Sequence, residues 1–270
     1  MKSTKKVLIT GASSGIGRAT AIYLSEHNFR VYAGTRRVDK IANIQNKNLI
    51  PLKLDITSQQ SIKEALNRID GVDILINNAG YGLVSTVEDV TEEEMFNQFN
   101  INLFGAIRMI KKVVPIMRAQ NSGVIINISS LLGKIRLPLL TLYNASKYAL
   151  EGVTDSLRYE LRDFNIRVHS IMPGFFDTNF AKENLVINKK TVAQNSPYKK
   201  IASNLLPQII EQIENGNSAN EVSELILKII NNPNYQARQT IGDKAKKFIP
   251  MRRELCDEDF ERRVRDYYRL

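Results

Sequence analysis

Histidine and cysteine are nearly missing from this chain of 270 residues, which has two of the first and one of the second. The lone Cys256 can make no internal disulfide, which suits a reducing, cytoplasmic compartment. It stands near Arg252 and Arg253 but also among acids, so it reads as a structural or surface thiol rather than a reactive one. His27 and His169 are isolated from any Cys or Asp cluster, so no metal is expected. Neither is spaced for a Ser-His-Asp nucleophile, which argues against hydrolase chemistry. No apolar run approaches the roughly 18 residues of a membrane span, so no integral membrane segment is expected. The residues before Val7 lead only into a very short apolar run, too short for a secretory leader.

Acidic residues are also the minority. Lys and Arg number 38 against 28 Asp and Glu, a formal charge of +10. Basic clusters stand at Lys189-Lys190, Lys199-Lys200, Lys244 to Lys247 and Arg252-Arg253, but the rest are spread along the chain. Solvated helix faces are the first reading, and attraction for an anionic cofactor or substrate is the second. Nucleic acid is not expected as a partner, because basic residues and aromatics do not interleave on one face.

What the chain does have is alternation. Apolar strand candidates lie at 6–10, 30–34, 49–54, 73–76, 123–128 and 166–171, with a weaker one at 238–241. Between them, helices are expected at 15–27, 58–68, about 92–119, 141–163 and 218–231, with a kink or break at Pro115. This pattern predicts an α/β fold: a doubly wound, Rossmann-type parallel sheet with helices on both faces, in a single domain over 1–270. Residues 179–206 read as one long irregular segment, and such segments are usually functional lids. The extension beyond about 235 ends in an amphipathic helix carrying Phe260, Val264 and Tyr267 or Tyr268.

Two motifs carry chemistry. Val7-Leu8-Ile9 runs into Gly11, Ser13, Ser14, Gly15, Ile16 and Gly17, and an Ala-rich helical stretch follows. Strand, glycine turn, helix is the setting for a phosphate: glycines allow close backbone approach, and the helix N-terminus offers free N–H groups. The glycine spacing is one residue longer than the usual dinucleotide fingerprint. Farther on, Tyr143 and Lys147 share one helical face, with Ser130 thirteen residues before the tyrosine. A cation beside a phenol favours phenolate and lowers a pKa that is about 10 when unperturbed.

Thr10 to Gly17, Asn77-Asn78-Ala79-Gly80, Asn102, Ser130, Tyr143, Lys147 and Pro173-Gly174 together resemble the short-chain dehydrogenase/reductase family over about residues 5–180. The layout resembles the 17β-hydroxysteroid dehydrogenase-like and retinol dehydrogenase-like members. The resemblance implies that Tyr143 is the acid or base, that Lys147 tunes it and holds the nicotinamide ribose, and that Ser130 polarises the substrate carbonyl. It implies that Asn102 helps hold a water beside the lysine. It puts the Asp55 side chain and Ile56 backbone at the adenine, and Asn77, Ala79 and Gly80 along the adenosine ribose and the nicotinamide side. Pro173, Gly174, Phe176 and Thr178 would meet the nicotinamide.

Cofactor choice can be read from the second strand. An NAD site places a carboxylate at its end, whereas this chain has Thr35 followed by Arg36. A missing acid and a guanidinium fork favour a 2′-phosphate, hence NADP(H). Apolar residues crowd the segment before Tyr143 and recur with Phe180 after Thr178, suggesting an apolar small-molecule substrate that touches Ser130, Tyr143 and Phe180. The expectation is an NADP(H)-dependent oxidoreductase interconverting a carbonyl and an alcohol, on a steroid, retinoid or lipid-like substrate. A 3-oxoacyl thioester reductase of fatty-acid synthesis and a nucleotide-sensing regulator without turnover are the alternatives. The resemblance further implies a homodimer or homotetramer built through helices 92–119 and 141–163.

Overall fold

Strand β1 (Lys6–Thr10) shows how the centre is built. Val7 and Ile9 face one apolar cluster, while Leu8 faces another on the opposite side of the sheet. Both faces are covered, so the strand reads as continuously apolar rather than alternating. The computed structural model describes residues 4–270. Six more strands join β1: β2 (Arg30–Thr35), β3 (Leu49–Lys53), β4 (Ile74–Asn77), β5 (Gly123–Ile128), β6 (Ile166–Pro173) and β7 (Arg238–Ile241). All pair in parallel, in the order β3-β2-β1-β4-β5-β6-β7. The chain order reverses between β1 and β4. Their carboxyl ends therefore open on a crevice, the usual place for a ligand in such sheets.

Helices cover both faces. On one, α1 (Gly15–Glu26) and α9 (Ala219–Asn231) pack Leu24, Val222 and Ile226 against Val7 and Ile9. On the other, α3 (Gln59–Leu66) and α5 (Ala106–Ala119) bury Ile62, Met109 and Val113 against Leu8 and Leu75. A short α2 (Asp39–Ala42) follows β2. Helix α4 (Glu92–Phe99) opens with a complete capping box between Thr91 and Glu94. Helix α6 (Thr141–Glu160) then brings Tyr143 and Lys147 to the carboxyl ends of the strands.

Two expectations need correction. Residues 92–119 are not one helix with a break at Pro115. The chain stays helical through Pro115, and a π-helical stretch over Asn100–Gly105 separates α4 from α5. Gly105 sits there because a Cβ would lie 2.4 Å from Ile56 Cδ1. Nor is 179–206 one irregular loop. It holds α7 (Phe180–Glu183), a strand at Leu185–Ile187 paired with Gly82–Val84, and the start of α8 (Lys199–Glu214). The buried Asn188 and Thr191 lock it further. Thr191 Oγ1 donates to Asp89 Oδ2 at 2.8 Å, and Asn188 Nδ2 donates to Glu94 Oε2 at 2.9 Å. A two-residue ladder between Phe176–Asp177 and Asn217–Ser218 also went unread.

The tail forms α10 (Asp243–Glu254) and α11 (Asp257–Tyr268). It packs into the core rather than hanging from it. Phe248, Phe260, Val264 and Tyr268 are all buried, together with Leu137 and Leu205 of the body. Tyr268 is the inward tyrosine; the Tyr267 ring lies edge-on to Phe248 at 5.1 Å. Phe260→Ala should therefore lower unfolding free energy by about 3–5 kcal/mol, the range for emptying a buried aromatic site. Urea denaturation measures it. A loss under about 1 kcal/mol would mean that α11 is not part of the cooperative core.

Candidate active site

The glycine turn is shaped by two close approaches. Gly11 and Gly15 take left-handed backbone angles, with φ +69° and +54°, which side-chain-bearing residues rarely adopt. A Cβ on Gly11 would lie 2.8 Å from Ala79 Cα, and one on Gly17 would lie 2.3 Å from Asn78 Nδ2. Asn78 is the clamp. Its amide donates to the carbonyls of Thr10 and Gly11, while Thr10 Oγ1 accepts from the backbone N–H groups of Asn78 and Ala79. The turns after β1 and β4 are thereby fixed to one another at the point where the strand order reverses.

A single cleft of about 740 Å³ runs from this turn to α6. At one end it is lined by Gly11, Ser13, Ser14, Gly15, Ile16, Arg36, Asp55 and Ile56, and in the middle by Ala79, Gly80 and Thr178. At the other end stand Ser130, Tyr143, Lys147, Pro173, Gly174, Phe176 and Phe180. Three residues expected there are not in its lining. Asn77 is buried beneath the sheet, because strand alternation turns it to the face covered by α6. Its amide donates to Asn127 Oδ1 at 2.9 Å, and Asn127 donates in turn to Thr154 of α6. Gly17 is the contact between α1 and Asn78 rather than a wall of the cleft. Asn102, in the π-helical stretch, has its side chain fully engaged. Oδ1 accepts from Tyr81 N, and Nδ2 donates to Tyr81 O and Ser146 Oγ. It holds the Tyr81 loop against α6.

The reactive end is crowded, with Lys147 buried and Tyr143 partly buried. Lys147 is 5% exposed and donates from Nζ to Ile128 O at 2.9 Å. Its Nζ lies 5.7 Å from the centre of the Tyr143 ring. Burial pushes the amine down to about 8, against an opposing pull from the Glu151 charge. Burial pushes the Tyr143 phenol up to about 12, and its hydrogen bond with Ser130 offsets only part of that. The direction is opposite to the expected lowering, because burial is the larger cause and the Ser130 hydrogen bond is the one that lowers it. Ser130 Oγ also accepts from Leu132 N at 3.1 Å, which fixes the hydroxyl at the start of a 3₁₀ turn over Leu131–Gly133.

At the phosphate end, Asp55 Oδ1 accepts from Thr57 N and Thr57 Oγ1, while Ser58 caps α3. Arg36 is exposed, and among the described residues it pairs with no carboxylate. Its neighbour Arg37 carries a contact of its own. Arg37 Nη2 donates to Glu183 Oε2 at 2.7 Å and reaches Ser13 Oγ at 3.5 Å, joining the glycine turn to α7. No local motif announces that contact, since 146 residues separate the partners.

The family profile described as short chain dehydrogenase matches residues 5–186. A 3-ketodihydrosphingosine reductase of Bacteroides thetaiotaomicron is 37% identical over 255 residues, covering 90% of this chain and 93% of that protein. Retinol dehydrogenase 8 of Bos taurus is 33% identical, covering 84% of this chain and 78% of that protein. The crystal structure of a short-chain dehydrogenase from Streptomyces avermitilis matches with a TM-score of 0.82 at 30% identity, over 98% of this chain and 99% of that one. A short chain dehydrogenase from Burkholderia cenocepacia, solved in complex with NADP, matches at TM-score 0.76 and 24% identity over 97% of this chain and 98% of that one, a likeness of fold alone. This chain belongs to the short-chain dehydrogenase/reductase family, oxidoreductases acting on CH–OH and carbonyl groups.

Proposed function

We propose that this chain interconverts a carbonyl and an alcohol on an apolar, lipid-like substrate, with NADP(H) as cofactor and Tyr143 as the acid–base group. The observation that carries this reading is one continuous cleft with two unlike ends. Arg36 and the glycine turn stand at one end, and Tyr143 stands among apolar side chains at the other. The ketosphingoid named for the Bacteroides relative is the first substrate to try, ahead of steroids and retinoids.

The residues fit a dinucleotide. Gly11 and Gly15 give the turn its left-handed backbone angles, and Ser14 begins α1 in an extended conformation without a side-chain cap, leaving the helix N–H groups for an anion. Arg36 suits a 2′-phosphate, because it is exposed and free of acids, whereas Arg37 is engaged by Glu183. Asp55, Ile56, Ala79 and Gly80 would hold the adenosine side, and Pro173, Gly174, Phe176 and Thr178 the nicotinamide side. When bound, the nicotinamide supplies or accepts the hydride.

The chain's own groups then handle the proton. A phenol pushed up to about 12 holds its proton at neutral pH, which suits donation to the oxygen of a carbonyl being reduced. The Ser130 hydroxyl would hydrogen-bond the same oxygen and orient it. Lys147 would steady the phenolate left behind and hold the nicotinamide ribose. Phe180, whose ring centre lies 6.5 Å from that of Tyr143, would press an apolar substrate toward the phenol. Segment 179–206 would act as a lid. Opening its α7 end requires breaking the three-residue ladder with Gly82–Val84 and the Arg37–Glu183 pair.

Three measurements test this reading. Tyr143→Phe should keep fold and NADPH affinity but lower turnover about 100-fold or more, the scale for losing a positioned acid–base group. Near-normal turnover would sink the mechanism. Arg36→Ala should weaken NADPH by about 1.5–3 kcal/mol, the range for charged hydrogen bonds, and barely change NADH. Tighter binding of NADH than NADPH by the unaltered protein would refute the cofactor assignment. Phe180→Ser should raise KM for long-chain ketones far more than for small polar carbonyls, leaving NADPH affinity unchanged. An equal effect on both substrate classes would remove Phe180 from the substrate site.

A further inference from the structure

Glu151 lies on α6 one turn beyond Lys147 and two beyond Tyr143, on the same face. It is 2% exposed and takes no part in lining the cleft. Three other elements hold its carboxylate. Ser170 of β6 donates to Oε1, and Arg238 of β7 donates from Nε to Oε2 at 2.6 Å. Lys134, just past the Leu131–Gly133 turn, stands 3.7 Å away. Arg238 also grips Asp155 through Nη2, at 2.8 and 2.7 Å.

That turn lies directly on α6 because residue 133 is glycine. A Cβ there would lie 2.8 Å from Ser129 Oγ, 3.1 Å from Glu151 Cγ and 3.2 Å from the Lys147 carbonyl oxygen. Ser130 caps the same turn. One carboxylate thus ties the helix of Tyr143 and Lys147 to two strands and to the turn that carries Ser130. Glu151 does not bond Lys147 directly, since the ammonium donates to Ile128 O. Its charge acts across a dry interior, where such interactions are felt more strongly than in water.

We propose that Glu151 is a positioning residue for proton transfer: it holds α6 in register with the Ser130 turn and keeps Lys147 protonated at neutral pH. The proposal rests on the oxidoreductase reading above. Other charged groups around Glu151 set its strength. Lys134 and Arg238 oppose its field, and Asp155 on the next turn adds to it. His169, beside Ser170 on β6, is pushed down to about 4 by burial and is neutral at pH 7. Tyr143, on the far side of Lys147, holds its proton across the same range.

The sign follows. Burial lowers the Lys147 pKa and the Glu151 charge raises it, so without that charge Lys147 loses its proton at lower pH. Glu151→Gln keeps the volume and an acceptor for Ser170. It should move the alkaline limbs of turnover and of NADPH affinity to lower pH, by about one pH unit for one neighbouring charge. Lys134→Gln, which removes an opposing cation, should move both limbs to higher pH. Urea stability is measured beside them. If the unaltered protein reduces no carbonyl in a panel, the oxidoreductase reading falls, and the NADPH-affinity limb still tests Glu151. If limbs stay at their wild-type pH while only stability drops, Glu151 is a structural anchor and the proposal is overturned. Should Glu151→Gln fail to fold, Lys134→Gln decides, and an unmoved limb overturns the proposal.

Discussion

Lys147 is a cation held where water barely reaches. An ammonium in such a place gives up its proton or finds compensation, and most of the surrounding architecture serves the second outcome. Its Nζ donates to the carbonyl at the end of β5. Glu151 supplies an opposite charge from behind, braced by Ser170 and Arg238. Gly80 stands in front and makes room for Asn102: a Cβ there would lie 3.2 Å from Asn102 Oδ1. Asn102 in turn needs the π-helical stretch, which places its amide between the Tyr81 backbone and Ser146 of α6.

Burial moves the Tyr143 pKa in the opposite direction from that of Lys147. Burial disfavours phenolate and disfavours ammonium, so it drives the two pKa values apart from a common neutral state. With the phenol pushed up to about 12 and the amine down to about 8, Lys147 is the first of the two to lose a proton as pH rises.

Much of the fold could be read from the residues, because its signals are local. Val7-Leu8-Ile9 and its counterparts are short, apolar and bounded by turns, and six of the seven central strands stand where such runs occur, while β7 reads Arg-Gln-Thr-Ile. Tyr143 and Lys147 share a face because four residues make about one helical turn. What escaped was non-local or depended on which way a side chain turns. Asn77 and Asn78 are identical in composition, yet pleating buries one under α6 and gives the other the clamp on Thr10 and Gly11. The lock on residues 188–191 joins Asp89 and Glu94 from a hundred residues away. The sense of the Tyr143 shift needed the depth of burial, which no spacing reveals.

Residues of the cleft wall also connect its two ends. Thr178 lies against the glycine turn, where a Cβ on Gly15 would meet its Cβ at 3.4 Å. Its Oγ1 also accepts from Phe180 N at 3.3 Å, at the start of α7. From there α7 runs only to Glu183, which Arg37 holds at the end of β2. Phe180, whose ring centre lies 6.5 Å from that of Tyr143, is thus held from two sides: by Thr178 at the glycine turn and, through α7, by the Arg37–Glu183 pair.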